Sequence, residues 1–227
     1  MRVLVTGSSS GLGKCLVRNF LDIGCDTIGI SRTKSEETDY ICNFESNENI
    51  KTTLSKALMG LDKIDYLFLN AGTLGNIAKA ASIDNDDLMN VFQINLFANK
   101  VILDTIINSH VSVNNVILIS SGASLKAYDG WLSYCLTKAS LNQLGRCYAI
   151  ENSDIRFISL APGIIQTKMQ DQIIESSSEL FSSISKFKEL YGKNPTPDAI
   201  AKKIIENLDR LEALDSGSYF DLRSIDD

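Results

Sequence analysis

Histidine occurs once in 227 residues and proline three times. The single histidine, His110, excludes a multi-histidine metal site, and no metal is expected. It stands near the end of a helical pattern and reads as a surface or capping residue. Five cysteines, Cys15, Cys25, Cys42, Cys135 and Cys147, form no CxxC pair. The odd count, with no visible leader before the strand pattern of "MRVLVTG", leads us to expect reduced thiols and a cytoplasmic location. No run approaches the ~20 apolar residues of a membrane-spanning helix, so no membrane partner is expected. Basic residues are scattered, the formal net charge is −6, and no basic patch is interleaved with aromatics. Nucleic acid is therefore not an expected partner.

What is present is an alternation. Apolar runs at 2–6, 26–31, 39–43, 64–70, 115–120, 154–161 and 217–222 read as strands, several apolar throughout as parallel strands buried on both faces are. Between them, helical patterns fall at about 11–23, 46–59, 84–109, 130–152 and 196–210. The last opens with Thr196 as N-cap and Pro197 in the first helical position. The order predicts an α/β, Rossmann-type doubly wound sheet of seven mostly parallel strands, with helices on both faces. With no linker, repeat or low-complexity tract, residues 1–227 read as one domain of this Rossmann type. Residues 164–195 break the rhythm and carry the serine cluster "ESSSELFSSIS". We expect a partly helical substrate flap there.

The first strand runs into "TGSSSGLGKCL", which sets Gly7, Gly11 and Gly13 between a strand and a helix. Glycines there permit a tight turn and close backbone approach, and the helix N-terminus can receive a pyrophosphate; a plain turn is the alternative. The second strand ends in "GISRTK". Ser31 stands where an acidic side chain would hold a ribose 2′-OH, and Arg32 follows with a planar donor fork suited to a 2′-phosphate. This predicts NADPH/NADP+ over NADH, the alternative being a solvated loop arginine. In "SYCLTKASL", Tyr134 and Lys138 share one helix face. A weak surface pair would look the same, but a cation beside a phenol also favours the phenolate and tunes it for acid/base work. Further polar signals close the later strands: "FLNAG" at 68–72, "LISSGAS" at 118–124 and "LAPGIIQTKM" at 160–169. Asn95 lies inside a helical pattern.

Taken in order, TGxxxGxG at 6–13, NAG at 70–72, Asn95, Ser121, YxxxK at 134–138 and PGxxxT at 162–167 resemble the short-chain dehydrogenase/reductase family over nearly the whole chain. The resemblance implies a hydride-transfer enzyme with the catalytic tetrad Asn95, Ser121, Tyr134 and Lys138. Tyr134 would give its proton to a carbonyl oxygen that Ser121 also holds. Lys138 would lower the phenol pKa and grip the nicotinamide ribose, and Asn95 would hold a water leading to solvent. The cofactor would lie on Gly7, Ser9, Ser10, Gly11, Leu12 and Gly13, with Ser31 and Arg32 at the adenosine phosphate. Asn70, Ala71 and Gly72 would flank the adenosine ribose. Pro162, Gly163, Ile165 and Thr167 would border the nicotinamide. Asn43 stands where many relatives carry an aspartate near the adenine.

"GWLSYCLTKASL", "APGIIQTKMQDQI" and "SGSYFDL" are similar to the sepiapterin reductase and benzil reductase branch, whose members use NADPH to reduce a carbonyl flanked by another carbonyl. The expected substrate is a small ketone or dicarbonyl. Met169, Ile173, Ile174, Leu180, Phe181, Phe187 and Tyr191 of the flap, with Trp131, suit an apolar pocket; they could equally pack the flap onto the sheet. Lys168, Lys186 and Lys188 bring positive charge to the flap. A sugar or acyl-thioester substrate fits the same tetrad. A non-catalytic NADP(H)-sensing regulator is a further alternative, though such relatives typically lose the tyrosine or lysine. The chain stops soon after its last strand, so little tail is expected over the site. The resemblance also implies a homodimer or homotetramer paired through the two long helices.

Overall fold

A computed structural model describes residues 1–176 and 181–225. Seven strands form one sheet: β1 (Arg2–Thr6), β2 (Asp26–Ser31), β3 (Tyr40–Ile41), β4 (Lys63–Leu69), β5 (Ser112–Ile119), β6 (Arg156–Ala161) and β7 (Ser218–Asp221). Every neighbouring pair is parallel, in the order β3-β2-β1-β4-β5-β6-β7. The central strands are buried on both faces, which is why their sequences run apolar without alternation.

Two cores result. On one face α1 (Gly11–Asp22), α8 (Pro197–Glu206) and α9 (Leu208–Glu212) bury Leu16, Phe20, Ile204 and Leu211 against Val5, Phe68 and Ile158. On the other, α2 (Asn47–Ala57), α4 (Ala98–Ile107) and α5 (Leu132–Glu151) bury Leu54, Ile102 and Leu141 against Leu67, Leu118 and Phe157. Thr196 caps α8 by accepting from the Ala199 N–H at 3.2 Å, with Pro197 next, as its sequence predicts.

Three elements depart from the sequence expectation. The helix expected over 84–109 is α3 (Asn85–Phe92), a π-helical turn over Gln93–Phe97, and then α4. The helix expected over 196–210 breaks at Asn207 into α8 and α9. The third strand shrinks to two residues, because only Ile30 and Ser31 of β2 have partners on that edge. The flap contains α6 (Lys168–Glu175) and α7 (Ser182–Glu189). Leu180 and much of the serine cluster lie outside the described residues, as does the Lys186 side chain. Among the described residues no helix is long and apolar enough to cross a membrane.

Candidate active site

In an open parallel sheet the loops diverge where the strand order reverses, and ligands bind at the carboxyl ends there. Here the reversal falls between β1 and β4. Asn70 ties the two loops: its amide N–H donates to Thr6 Oγ1 at 2.9 Å and its Nδ2 to the Thr6 carbonyl at 2.9 Å. The glycine loop packs hard against this clasp. A Cβ on Gly13 would lie 2.3 Å from the Gly7 carbonyl oxygen, and one on Gly7, where φ is +73°, 2.8 Å from Asn70 Nδ2. Ser10, the N-cap of α1, makes no side-chain cap bond. The first N–H groups of α1 therefore keep their donors for something else, and an anion suits them. This glycine cradle fits a dinucleotide pyrophosphate.

The loops open into a cavity of about 870 Å³. Its wall includes Gly7, Ser9, Ser10, Gly11, Leu12, Ser31, Arg32, Asn43, Asn70, Ala71 and Gly72 at one end. Ser121, Tyr134, Lys138, Pro162, Gly163, Ile165 and Thr167 line the rest. Of the expected tetrad and cofactor residues, Gly13 and Asn95 lie behind the wall, and of the flap's apolar residues Ile174, Phe181 and Tyr191 do not line it. Ser31 spends its hydroxyl on the Thr33 carbonyl, 2.6 Å, and on Thr38. Arg32 is exposed, its guanidinium 4.0 Å from Glu45. Asn43 Oδ1 accepts from the Glu45 N–H at 3.0 Å, a turn bond that holds its carboxamide in place.

Ser121 follows β5 and opens a short 3-10 turn, Gly122–Ser124, in which its Oγ accepts from the Ala123 N–H at 3.1 Å. That turn is pinned to α5 by Asn142, which bonds both Ser120 and Ser124. The clamp brings the Ser121 hydroxyl near the Tyr134 phenol, where it favours the phenolate. Lys138 Nζ donates to the Ile119 carbonyl at 2.7 Å and lies 5.5 Å from the centre of the Tyr134 ring. The serine is thus a turn hydroxyl that also acts on the phenol. Asn95 is fully buried in the π turn. Its carboxamide clasps the Thr73 backbone, accepting from the N–H and donating to the carbonyl, both at 2.8 Å, and it also donates to Thr137. Both side-chain protons are committed to protein, so the amide is a clamp and has none left to donate to a water.

The electrostatics run against the expected effect of Lys138 on the phenol. Burial pushes the Tyr134 pKa up to about 12, with Ser121 opposing. Burial also draws Lys138 down to about 8. Within the protein alone, desolvation dominates, and the phenol keeps its proton at neutral pH.

The other end of the cavity is aromatic. Trp131 lies 5.0 Å from Tyr128, 4.8 Å from Phe187 and 6.2 Å from Tyr134, ring centre to ring centre. Ile173, Phe181 and Ile184 complete this cluster, while Tyr191 is exposed. Sequence reasoning missed Gln170, Tyr128, Tyr219, Asp221 and Arg223, all of which line the cavity. The tail also corrects its expectation. After β7 the chain turns through Leu222–Ile225 and lays Arg223 beside Gly163, with the guanidinium forked onto Asp221. Nothing in "DLRS" signals this, since the contact depends on where β7 joins the sheet.

A parallel sheet with a glycine cradle at its switch point and a serine–tyrosine–lysine group beside it defines a dinucleotide-dependent oxidoreductase. Residues 1–178 match the short chain dehydrogenase family, and the chain belongs to it; the family binds NAD(P)(H). The chain is 30% identical to benzil reductase ((S)-benzoin forming) of Bacillus subtilis (strain 168), covering 97% of each chain. It is 32% identical to sepiapterin reductase of Rattus norvegicus over 70% of this chain and 63% of that one. The crystal structure of the KRED1-Pglu enzyme superposes with a TM-score of 0.84 at 24% identity, covering 96% of this chain and 99% of that one, a likeness of fold.

Proposed function

We propose that the protein is an NADPH-dependent carbonyl reductase acting on a small ketone or dicarbonyl, with Tyr134 as proton donor. The observation that carries the reading is the convergence of Ser121, Tyr134 and Lys138 on one cavity, with Tyr134 and Lys138 buried one helical turn apart and burial favouring the protonated phenol. A phenol that holds its proton suits reduction, where the carbonyl oxygen must gain one. The benzil reductase relative supports the substrate class. A bound NADPH would supply the hydride to the carbonyl carbon, and the products are an alcohol and NADP+.

This chain's own residues do the rest. Ser121 and Tyr134 converge on one point, where a carbonyl oxygen accepts from both hydroxyls. As negative charge develops on that oxygen, the two donors stabilise it, and the phenol proton passes across. The resulting phenolate is then stabilised by the nearby Lys138 ammonium, which has no carboxylate partner among the described residues. Lys138 thus acts after the proton leaves. The Asn95 clamp holds the Thr73 strand end against α5 and fixes the floor of the site. Arg32, exposed at the end of β2, would receive the 2′-phosphate. The exposed apolar side chains of Phe97, Leu136 and Ile150 support pairing of two or four copies through the long helices.

The test is loss of NADPH absorbance with benzil as substrate, with NADH run in parallel. Turnover with NADPH preferred is expected. Cofactor binding without turnover of benzil or any simple ketone would sink the reading and favour the sugar or acyl-thioester alternative.

A further inference from the structure

Two polar side chains in the cavity wall have no hydrogen-bond partner among the described residues. Gln170, 3% exposed, has neither carboxamide atom hydrogen-bonded, and Trp131, 5% exposed, leaves its indole Nε1 unpaired. Buried polar groups are almost always paired, because an unpaired one forfeits its hydration for nothing. Gln170 even has a partner close at hand in sequence. Thr167 is the N-cap of α6 and Gln170 its third residue, so "TKMQ" spells a reciprocal capping box. Neither residue makes that box. Thr167 forms no side-chain cap bond, and the turn is closed by the Gln170 N–H donating to the Thr167 carbonyl at 2.8 Å. Trp131 is held between Tyr128 and Phe187 one helical turn from Tyr134, so its ring plane is fixed close to the proposed proton donor.

We infer that Gln170 and Trp131 are specificity-determining residues that hydrogen-bond a second polar group of the substrate, adjacent to the carbonyl being reduced. The inference rests on the carbonyl reductase reading and deepens it. A vicinal diketone carries such a group in its neighbouring carbonyl oxygen, which accepts from an indole or carboxamide N–H. A ketone with a methylene in that place leaves both donors unpaired, and a site built to hydrogen-bond one group rejects the analogue that lacks it. Neither donor meets solvent in this structure. The diketone reaches them as neighbouring side chains give way, and the new hydrogen bonds offset that rearrangement.

The test uses benzil and deoxybenzoin, which differ by one carbonyl replaced by a methylene. Their affinities for the NADP+-loaded protein are measured by calorimetry for the wild type, Gln170→Leu, Trp131→Phe and the double variant. For the wild type and Gln170→Leu, fluorescence of Trp131, the only tryptophan in the chain, provides a second readout. The wild type should prefer benzil by about 10-fold or more, each single variant should lower the ratio, and the double variant should bring it near one. NADP+ affinity should stay within about twofold. Gln170→Leu should also raise the Tm of the ligand-free protein by about 2–4 °C, since it removes an unpaired buried amide. A residue that served only packing or capping would lower the Tm and weaken both ketones alike. Equal wild-type affinity for the two ketones, equal loss of both in the variants, or loss of NADP+ affinity would each overturn the inference. Turnover is read separately: discrimination without benzil reduction would sink the reductase reading alone, and reduction without discrimination would sink this inference alone.

Discussion

The two ends of the cavity are built from different materials. At the nucleotide end the wall is largely backbone: a glycine cradle, the uncapped start of α1 and the Thr6–Asn70 clasp. Its geometry is held by the β1–β4 ladder and by the main-chain to side-chain bonds of Thr6 and Asn70, and leaves little room for substitution. At the substrate end the wall is side chain: Trp131, Tyr128, Phe187, Ile173 and Gln170, carried on the loop leading into α5 and on the flap helices. The first end recognises what every dinucleotide has in common. The second can be re-lined one residue at a time without disturbing the sheet, which is how one fold serves many substrates. Tyr134 sits on the seam between them.

The largest expected effect is at that seam. Tyr134→Phe removes the donated proton and little volume, so kcat should fall by about 10²–10⁴-fold while NADPH affinity stays nearly constant. Stopped-flow hydride transfer and a fluorescence titration check the two halves. Retained turnover would dissolve the seam and remove the proton-donor assignment. Gly13→Ala should fall next. Its methyl would sit 2.3 Å from the Gly7 oxygen and 2.4 Å from Asn70 Nδ2, neither of which can yield without moving the clasp. We expect a loss of about 2–4 kcal/mol in stability and a marked loss of NADPH binding, read by urea denaturation and calorimetry. Phe187→Ala should do the reverse, raising KM for the ketone and leaving NADPH binding intact. If both variants damaged both ligands equally, the division of the cavity would be wrong.

A third prediction uses proton linkage at Lys138. Its native pKa of about 8 lies below the ordinary 10.5 because burial disfavours the ammonium. Below pH 8 both folded and unfolded chains carry the proton, and the folded state bears the full burial cost. Between pH 8 and 10.5 the unfolded chain holds more protons, so stability rises with pH. Tyr134 acts in the opposite sense, and its stabilisation is lost as pH rises from about 10 to 12. Wild-type stability minus that of Lys138→Met should therefore climb between pH 8 and 10, by up to about 3 kcal/mol in all. Urea denaturation across that range checks it, and a flat difference would mean that the ammonium is better solvated than the structure indicates.

This contrast also explains what the sequence made legible. Backbone constraints leave a mark in single residues at fixed spacing: Gly7 and Gly13 cannot be anything else, and Tyr134 and Lys138 must be one turn apart to share a face. The seven strands were readable for the same reason, as buried parallel strands run apolar. What stayed hidden depends on contacts between distant segments. The π turn at Gln93–Phe97 houses Asn95, whose partner Thr73 is 22 residues away, so no local pattern announces it. Gln170 looks like an ordinary capping residue until its carboxamide is found unpaired. Arg223 enters the cavity only because β7 pairs beside β6. The burial that raises Tyr134 is likewise hidden, because spacing reveals the cation and not the burial.

The smallest expected effect tests a charged side chain at the nucleotide end. Arg32 extends into solvent, 72% exposed, with Glu45 its nearest anion at 4.0 Å. So exposed and distant a pair is weak and leaves the guanidinium available. Arg32→Ala should weaken NADPH by about 10-fold, the size of one charge-assisted hydrogen bond, and NADH by less than about twofold. Glu45→Gln should have the opposite sign, tightening NADPH by no more than about threefold, because it removes a like charge facing the phosphate. Both effects should shrink in high salt, since nothing screens the pair from water. Calorimetric titrations with the two cofactors at low and high ionic strength check all of this. Equal loss of both cofactors in Arg32→Ala would place the arginine on a part that NADH shares, and the 2′-phosphate assignment would fall, while the glycine cradle and the clasp behind it would be untouched.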